Sequence, residues 1–202
     1  SGTILENSGV LITATNTIVV YGLNQAVDSC GAFNILPLDS LAFNYYAVAW
    51  WPPTSSTQLG VVATEDDTEV TITFHPNHGT VVLYNGVLYM QGDVLQVTMD
   101  AYQSLQLQDR ANSDLSGTKI GADKPVAAFS GNTYTALPSM ENQPLDGVVE
   151  QLTPLHAWGR HFVFVPTPEN PTSDFYVLVA RDEDTEIVIS DGQVVYMSDR
   201  NT

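Results

Sequence analysis

Two acidic segments hold the densest oxygen chemistry in the sequence. They are Glu65, Asp66 and Asp67 within EDDTE, and Asp182, Glu183 and Asp184 within DEDTE. Calcium takes about six to eight oxygen ligands, and a carboxylate-rich turn supplies several of them. The alternating donors, glycine and distal glutamate of an EF-hand loop are missing. An aspartate in such a segment also bonds its own backbone, so an ordinary acidic turn between strands is the competing expectation. Calcium is therefore the single cofactor these residues suggest.

The other reactive side chains are sparse. His75 and His78 flank Pro76-Asn77, and His156 and His161 flank Trp158-Gly159. Zinc wants three or four ligands of His, Cys or carboxylate type, and no third ligand is specified near either pair. Surface histidines are expected. Cys30 has no cationic neighbour in sequence to lower its pKa. Ser130, in FSGN, lacks the G-x-S-x-G context of a nucleophile elbow, and SGNT reads as a turn. With 23 acidic residues, some carboxylate pair always lies close, and no pair is singled out for glycosidase chemistry. No enzyme is expected. The contact candidates are aromatic: Trp50 and Trp51 before Pro52-Pro53, and Tyr134 after SGN. Adjacent residues of a strand point to opposite faces, so one tryptophan would be buried and the other exposed. Exposed tryptophan beside proline suits a protein or sugar contact.

The elements that must position these residues are strands. Val70, Ile72 and Phe74 alternate with threonines, and Leu105 and Leu107 alternate with polar residues. A period of two puts apolar side chains on one face. Asn85-Gly86 and Asp191-Gly192, each between apolar runs, predict two-residue hairpin turns. A short helical turn over Asp146–Leu152 is expected, capped by Asp146.

The sequence also repeats itself. ATEDDTEVTI (63–72) and ARDEDTEIVI (180–189) align at an offset of 117 with five of ten positions identical. At that offset Pro37, Leu38, Leu41 and Tyr45 meet Pro154, Leu155, Trp158 and Phe162, and at an offset of 108 Ile12–Asn24 meets Ile120–Asn132. The expected fold is all-β, with two related, sandwich-like antiparallel units formed by internal duplication. Residues 1–110 make the first unit and 111–202 a second one truncated at its C-terminal end. Together they form one module.

Composition bounds the partners. The chain has 202 residues and a formal net charge of -17. Nucleic acids and anionic membrane surfaces would repel it. No apolar stretch reaches the roughly 18 residues of a membrane helix. Cys30 is the sole cysteine, so no internal disulfide forms. The N-terminus has neither the basic start nor the apolar run of a signal peptide, which predicts a mature product or an excised fragment.

Several segments together carry a family resemblance. SDLSGTKIGADKPVAAFSGN (113–132), VVATEDDTEVTI (61–72), DGVVEQLTPLHAWGRHFVFVP (146–166), ATNTIVVYGLN and FNILPLDSLAFNYYAVAW occur in order. The set resembles the N-terminal domain family of IgG-Fc-binding protein over nearly the whole chain. The resemblance implies extracellular placement, a non-catalytic β-rich domain, and a large parent protein with adhesive or matrix-forming roles. It does not imply antibody binding. Two cysteines frequent in the family are replaced by Tyr134 and Leu145, which implies that packing takes the place of a disulfide and leaves Cys30 unpaired. The expected function is a non-enzymatic adhesion or scaffold module contacting extracellular proteins or glycans. Two alternatives stand beside it: a filament or matrix subunit self-assembling through strand edges, and a lectin-like or Fc-type binding domain.

Overall fold

A computed structural model describes residues 4–25, 30–50, 56–110, 113–135, 146–163, 176–189 and 194–197. Fourteen strands follow in chain order: β1 (Ile4–Glu6), β2 (Val20–Gln25), β3 (Cys30–Ile35), β4 (Ala42–Tyr46), β5 (Thr57–Ala63), β6 (Thr68–Thr73), β7 (Val81–Tyr84), β8 (Val87–Met90), β9 (Val94–Met99), β10 (Ser104–Gln108), β11 (Lys119–Thr135), β12 (Asp146–Gln151), β13 (Thr185–Val188) and β14 (Val194–Met197). The two helical pieces are 3-10 turns, Leu38–Ser40 and Leu155–Ala157. The fold is all-β, and its paired strands are antiparallel, as the alternation predicts.

The main sheet runs β1-β10-β5-β11-β6-β9, with β4 and β12 also on β11. Three two-stranded sheets, β2-β3, β7-β8 and β13-β14, accompany it. β11 organises the whole. Its first half, Lys119–Ala122, pairs with β6, and Lys119–Gly121 also with β4. Its second half pairs with β5 over Val126–Asn132 and with β12 from Phe129 onward. Between the halves the pairing with β4 shifts register from Gly121 to Val126, a stretch that contains Pro125, which supplies no backbone donor and suits a break in the ladder.

Alternation explains the core. β5, β9 and β10 bury every second residue. Leu59, Val61, Val70, Ile72, Phe74, Leu95, Met99, Leu105, Leu107, Ile120 and Val126 form one apolar cluster. Tyr45 is wholly buried in it. Its hydroxyl donates to the Val126 carbonyl (2.7 Å) and accepts the Ala42 amide N–H (2.8 Å), tying β4 to β11. Burial raises the pKa of that phenol, so it stays a neutral donor.

Asn85 and Gly86 both take positive φ, 47° and 79°, between β7 and β8. That is the geometry a two-residue primed turn demands. Asp191-Gly192 lies outside the described residues, while β13 and β14 on either side pair antiparallel. The helical expectation at Asp146–Leu152 is corrected: Asp146–Gln151 is strand β12. Val148 and Val149 favour an extended chain. The Asp146 carboxylate serves not as a helix cap but as acceptor for the amides of Gly147 and Cys30, both at 2.9 Å.

Removing the buried side chain at the crossing of β4, β6 and β11 is expected to be costly. Ile120→Ala should lower unfolding free energy by about 2–5 kcal/mol, read from the midpoint shift in urea.

Candidate binding edge

After β4 the chain continues over Ala47–Trp50 without joining a sheet. An extended segment has one amide N–H and one carbonyl per residue to satisfy, and burying them unpaired costs free energy. Here side chains do most of that work. The Ala47 amide donates to the Thr118 carbonyl, and its own carbonyl accepts from Gly117, both at 2.9 Å. The Ser130 hydroxyl accepts the Val48 N–H (3.1 Å) and donates to the Val48 carbonyl. The Ser116 hydroxyl serves Ala49 in both ways, each at 3.0 Å. The Asn132 amide group accepts the Trp50 N–H (2.8 Å) and donates to the Trp50 carbonyl. Three polar side chains thus replace a neighbouring strand.

This gives the SGN motif a physical reason. Val126, Ala128, Ser130 and Asn132 alternate on the buried side of β11. The first two are core residues; the last two hold the segment leading to Trp50. Gly131 stands between them, where an added Cβ would collide with the Val148 carbonyl on β12. The expected turn at SGNT is therefore corrected: these residues lie inside β11. The alternation V-x-A-x-S-x-N was the available signal. Polar residues continuing an apolar face indicate buried groups with partners. Ser116, Ser130 and Asn132 were missed as functional residues because their partner is backbone.

Two of the three sequence-derived contact candidates lie among the described residues, Trp50 in this segment and Tyr134 on β11. Trp50 is half-buried at the end of the ladder. Tyr134 lies two residues beyond Asn132 on β11 and is 52% exposed. Trp51 lies outside the described residues. Trp158 is half-buried instead, its ring 6.0 Å from Tyr46 and its indole N–H on the Thr153 carbonyl at 3.0 Å.

The acidic turns have local partners. In the first, Asp67 takes a positive φ of 52°, the Thr68 hydroxyl donates to the Glu65 carbonyl (2.7 Å), and the Asp66 carboxylate accepts the Ala101 N–H (3.0 Å). The Lys124 ammonium donates to the carbonyls of Asp66 and Asp67. In the second, Asp184 has φ 56°, Thr185 donates to the Asp182 carbonyl, and Arg181 pairs with the Asp182 carboxylate at 2.6 Å. Glu183 is exposed in the same turn. Among the described residues no three His, Cys, Asp or Glu side chains converge as a metal site.

The surface expectation for the histidines needs correction at one pair. His75 is buried and His78 half-buried, with ring centroids 4.0 Å apart. His78 Nδ1 lies 2.8 Å from the Ser116 carbonyl, behind the ladder. His156 and His161 are exposed. Cys30 is an exposed free thiol.

One buried acid went unnoticed. The Asp109 carboxylate accepts the Thr57 N–H (3.0 Å), the Thr57 hydroxyl (2.8 Å) and the Ser113 hydroxyl (2.9 Å). Burial raises its pKa more than these donors lower it, to about 7. It ties the end of β10 to the start of β5. The shallow depression lined by Asn44, Glu69, Thr71, Lys119 and Asp123 lies elsewhere, across β4, β6 and β11.

Fold and geometry together define an all-β module in which Ser116, Ser130 and Asn132 hold the backbone of Val48–Trp50. Residues 31–200 match the family model described as IgGFc binding protein. Over 197 residues, 96% of this chain, the sequence is 31% identical to human IgGFc-binding protein. The chain spans 3% of that relative's length. No solved structure matches. The chain belongs to the IgGFc-binding family. Among the described residues no helix is long and apolar enough to cross a membrane.

Two outcomes test this geometry. Asn132→Ala strips partners from the Trp50 backbone and should cost about 1–3 kcal/mol in urea unfolding. Asp109 binds its proton more tightly folded than unfolded, so stability should fall as pH rises from about 4 to about 7, by on the order of 3 kcal/mol from this group. Asp109→Asn should flatten that slope, as measured by thermal melts across the range.

Proposed function

We propose that this chain is a non-catalytic binding module of an extracellular protein, whose partner is a protein or glycan docked on the Trp50–Tyr134 edge. One observation carries the reading. Ser130, Ser116 and Asn132 fix the backbone leading to Trp50 residue by residue, and Tyr134, two residues beyond Asn132 on β11, is exposed. Rigid aromatic anchors lose little conformational freedom on binding, which is why tyrosine and tryptophan dominate contact hot spots.

Family membership supports the reading: the matched relative is named for binding the Fc part of immunoglobulin G. Secretion of the parent protein accords with that name and with the acidic surface. The polar groups in the core support it too. Asp109 and Tyr45 have perturbed pKa values, but each is spent on structural hydrogen bonds rather than facing an open cleft. A scaffold or adhesion role of the parent would use the same edge.

Immobilised human immunoglobulin Fc and an array of extracellular glycans are the probes. The unaltered chain should bind one of them, and Tyr134→Ala should weaken that binding at least about fivefold, roughly 1 kcal/mol, with unfolding unchanged. Binding that survives Tyr134→Ala would place the contact elsewhere, and binding to neither probe would sink the proposal.

A further inference from the structure

The second half of the chain repeats the geometry of the first, not only its letters. The 3-10 turns Leu38–Ser40 and Leu155–Ala157 both follow a proline of nearly equal dihedral angles, Pro37 (-66°, 154°) and Pro154 (-65°, 150°). Both acidic turns have a left-handed aspartate and the same threonine-to-carbonyl bond. The hairpin registers agree as well. Tyr21 faces Asn34 in β2-β3, and Phe129 faces Gln151 in β11-β12. Those pairs are related by the offsets of 108 and 117 found in sequence.

The first half is nevertheless completed by the second. β11 lies between β5 and β6, both first-half strands. Its first-half counterpart is residues 11–24, and these have no such place: among the described residues β2 pairs only with β3. The difference shows in burial. Ile120 and Val126 are fully buried, whereas their counterparts Ile12 and Ile18 are 53% and 55% exposed. The receiving surface is equally bare. Tyr45 and Val61, which flank β11, are 0% and 1% exposed, and their counterparts Phe162 and Leu178 are 77% and 42%. Among the described residues, 11–24 thus lack the place that β11 holds, and within 176–189 the one strand pairing is that of 185–188 with β14.

We propose that residues 11–24 of this chain insert beside 176–189 of the same chain, in the register β11 keeps with β5 and β6. The exchange of first strands between halves is then reciprocal. The β2-β3 hairpin survives intact, because insertion uses the other edge of β2. The placement of the hairpins favours the same chain over a second copy. β3 and β12 run side by side in one direction: the Cys30 N–H reaches the Asp146 carboxylate and the Leu36 N–H the Gln151 side chain (2.8 Å). The contacting positions are 116 and 115 residues apart, within one or two places of the matched offset of 117, as an approximate two-fold relation between the hairpins requires. That rotation carries β11 in the first half onto 11–24 in the second. A donor on the same chain also presents an effective concentration of about millimolar, above any dilute second copy.

The test is a pair of cysteines in a Cys30→Ser background. Val20 and Leu178 correspond to Ala128 and Val61, which face each other across β11 and β5. Facing residues of antiparallel strands have Cα atoms about 4.5–5.5 Å apart, within reach of a disulfide. Val20→Cys with Leu178→Cys should oxidise to a bond within one chain, seen as loss of both thiols at monomer mass. Ile18→Cys with Leu178→Cys is two places out of register and should keep its thiols. A bond between two chains would overturn the proposal in favour of a second copy, and retained thiols in the first pair would overturn it outright. Hydrogen exchange on the unaltered chain covers the case of a variant that fails to fold. Amides of 18–22 should be protected at least about a hundredfold, at every protein concentration. Fast exchange, or protection that grows with concentration, would overturn the proposal.

Discussion

The structure depends on one strand being continuous. β11 is 17 residues long and bonds to four other strands. Its first half closes the β4-β6 side of the core, and its second half holds β5 and β12. Contacts of this kind join residues far apart in sequence, so loop-closure entropy is lost before they form. The apolar cluster offsets that loss only once β11 is seated. Ile120 and Val126 touch the core from the two halves of the same strand, so neither half can be seated alone without leaving apolar surface in water.

The polar face of β11 follows from the same placement. Ala47–Trp50 runs past the strand without entering a backbone ladder, so its amides need other acceptors. Serine and asparagine suit the task because each side chain offers a donor and an acceptor together. The residues that build the core therefore also build the edge. Mutual support of this kind couples the site to stability: loosening Ser130 or Asn132 loosens the path to Trp50.

Much of the fold was legible in the sequence, for physical reasons that can be named. Period-two alternation gave β6 and β10, because one face of each is more deeply buried than the other. Asn85-Gly86 gave the β7-β8 turn, because few other residue pairs tolerate two positive φ angles. The family resemblance was legible because several ordered segments agreed. Other elements were not. β11 reads as two segments broken at Lys124-Pro125, and nothing local says that the chain continues in the same sheet. Asp146–Gln151 looked like a capped helix because a capping aspartate and a strand-end aspartate look alike until the partner, the Cys30 amide, is known. SGNT looked like a turn because serine, glycine and asparagine are turn residues unless tertiary contacts use them up. His75 and Asp109 were unreadable because burial of a single polar residue is set by what crosses over it.

The net charge of -17 bears on how such exposed apolar edges avoid indiscriminate pairing. An unpaired edge invites strands from other molecules, and natural proteins blunt it with charge. Two copies of this chain repel at close approach, and salt screens that repulsion only beyond a Debye length of about 8 Å. Within one chain the two halves are already held together by β11, and the charge they carry is already accommodated in the folded molecule. Bringing 11–24 to 176–189 within that molecule therefore meets no new repulsion of the kind a second copy brings. Acidity and topology point the same way: the surface discourages neighbours, and the first half already takes its central strand, β11, from within the chain.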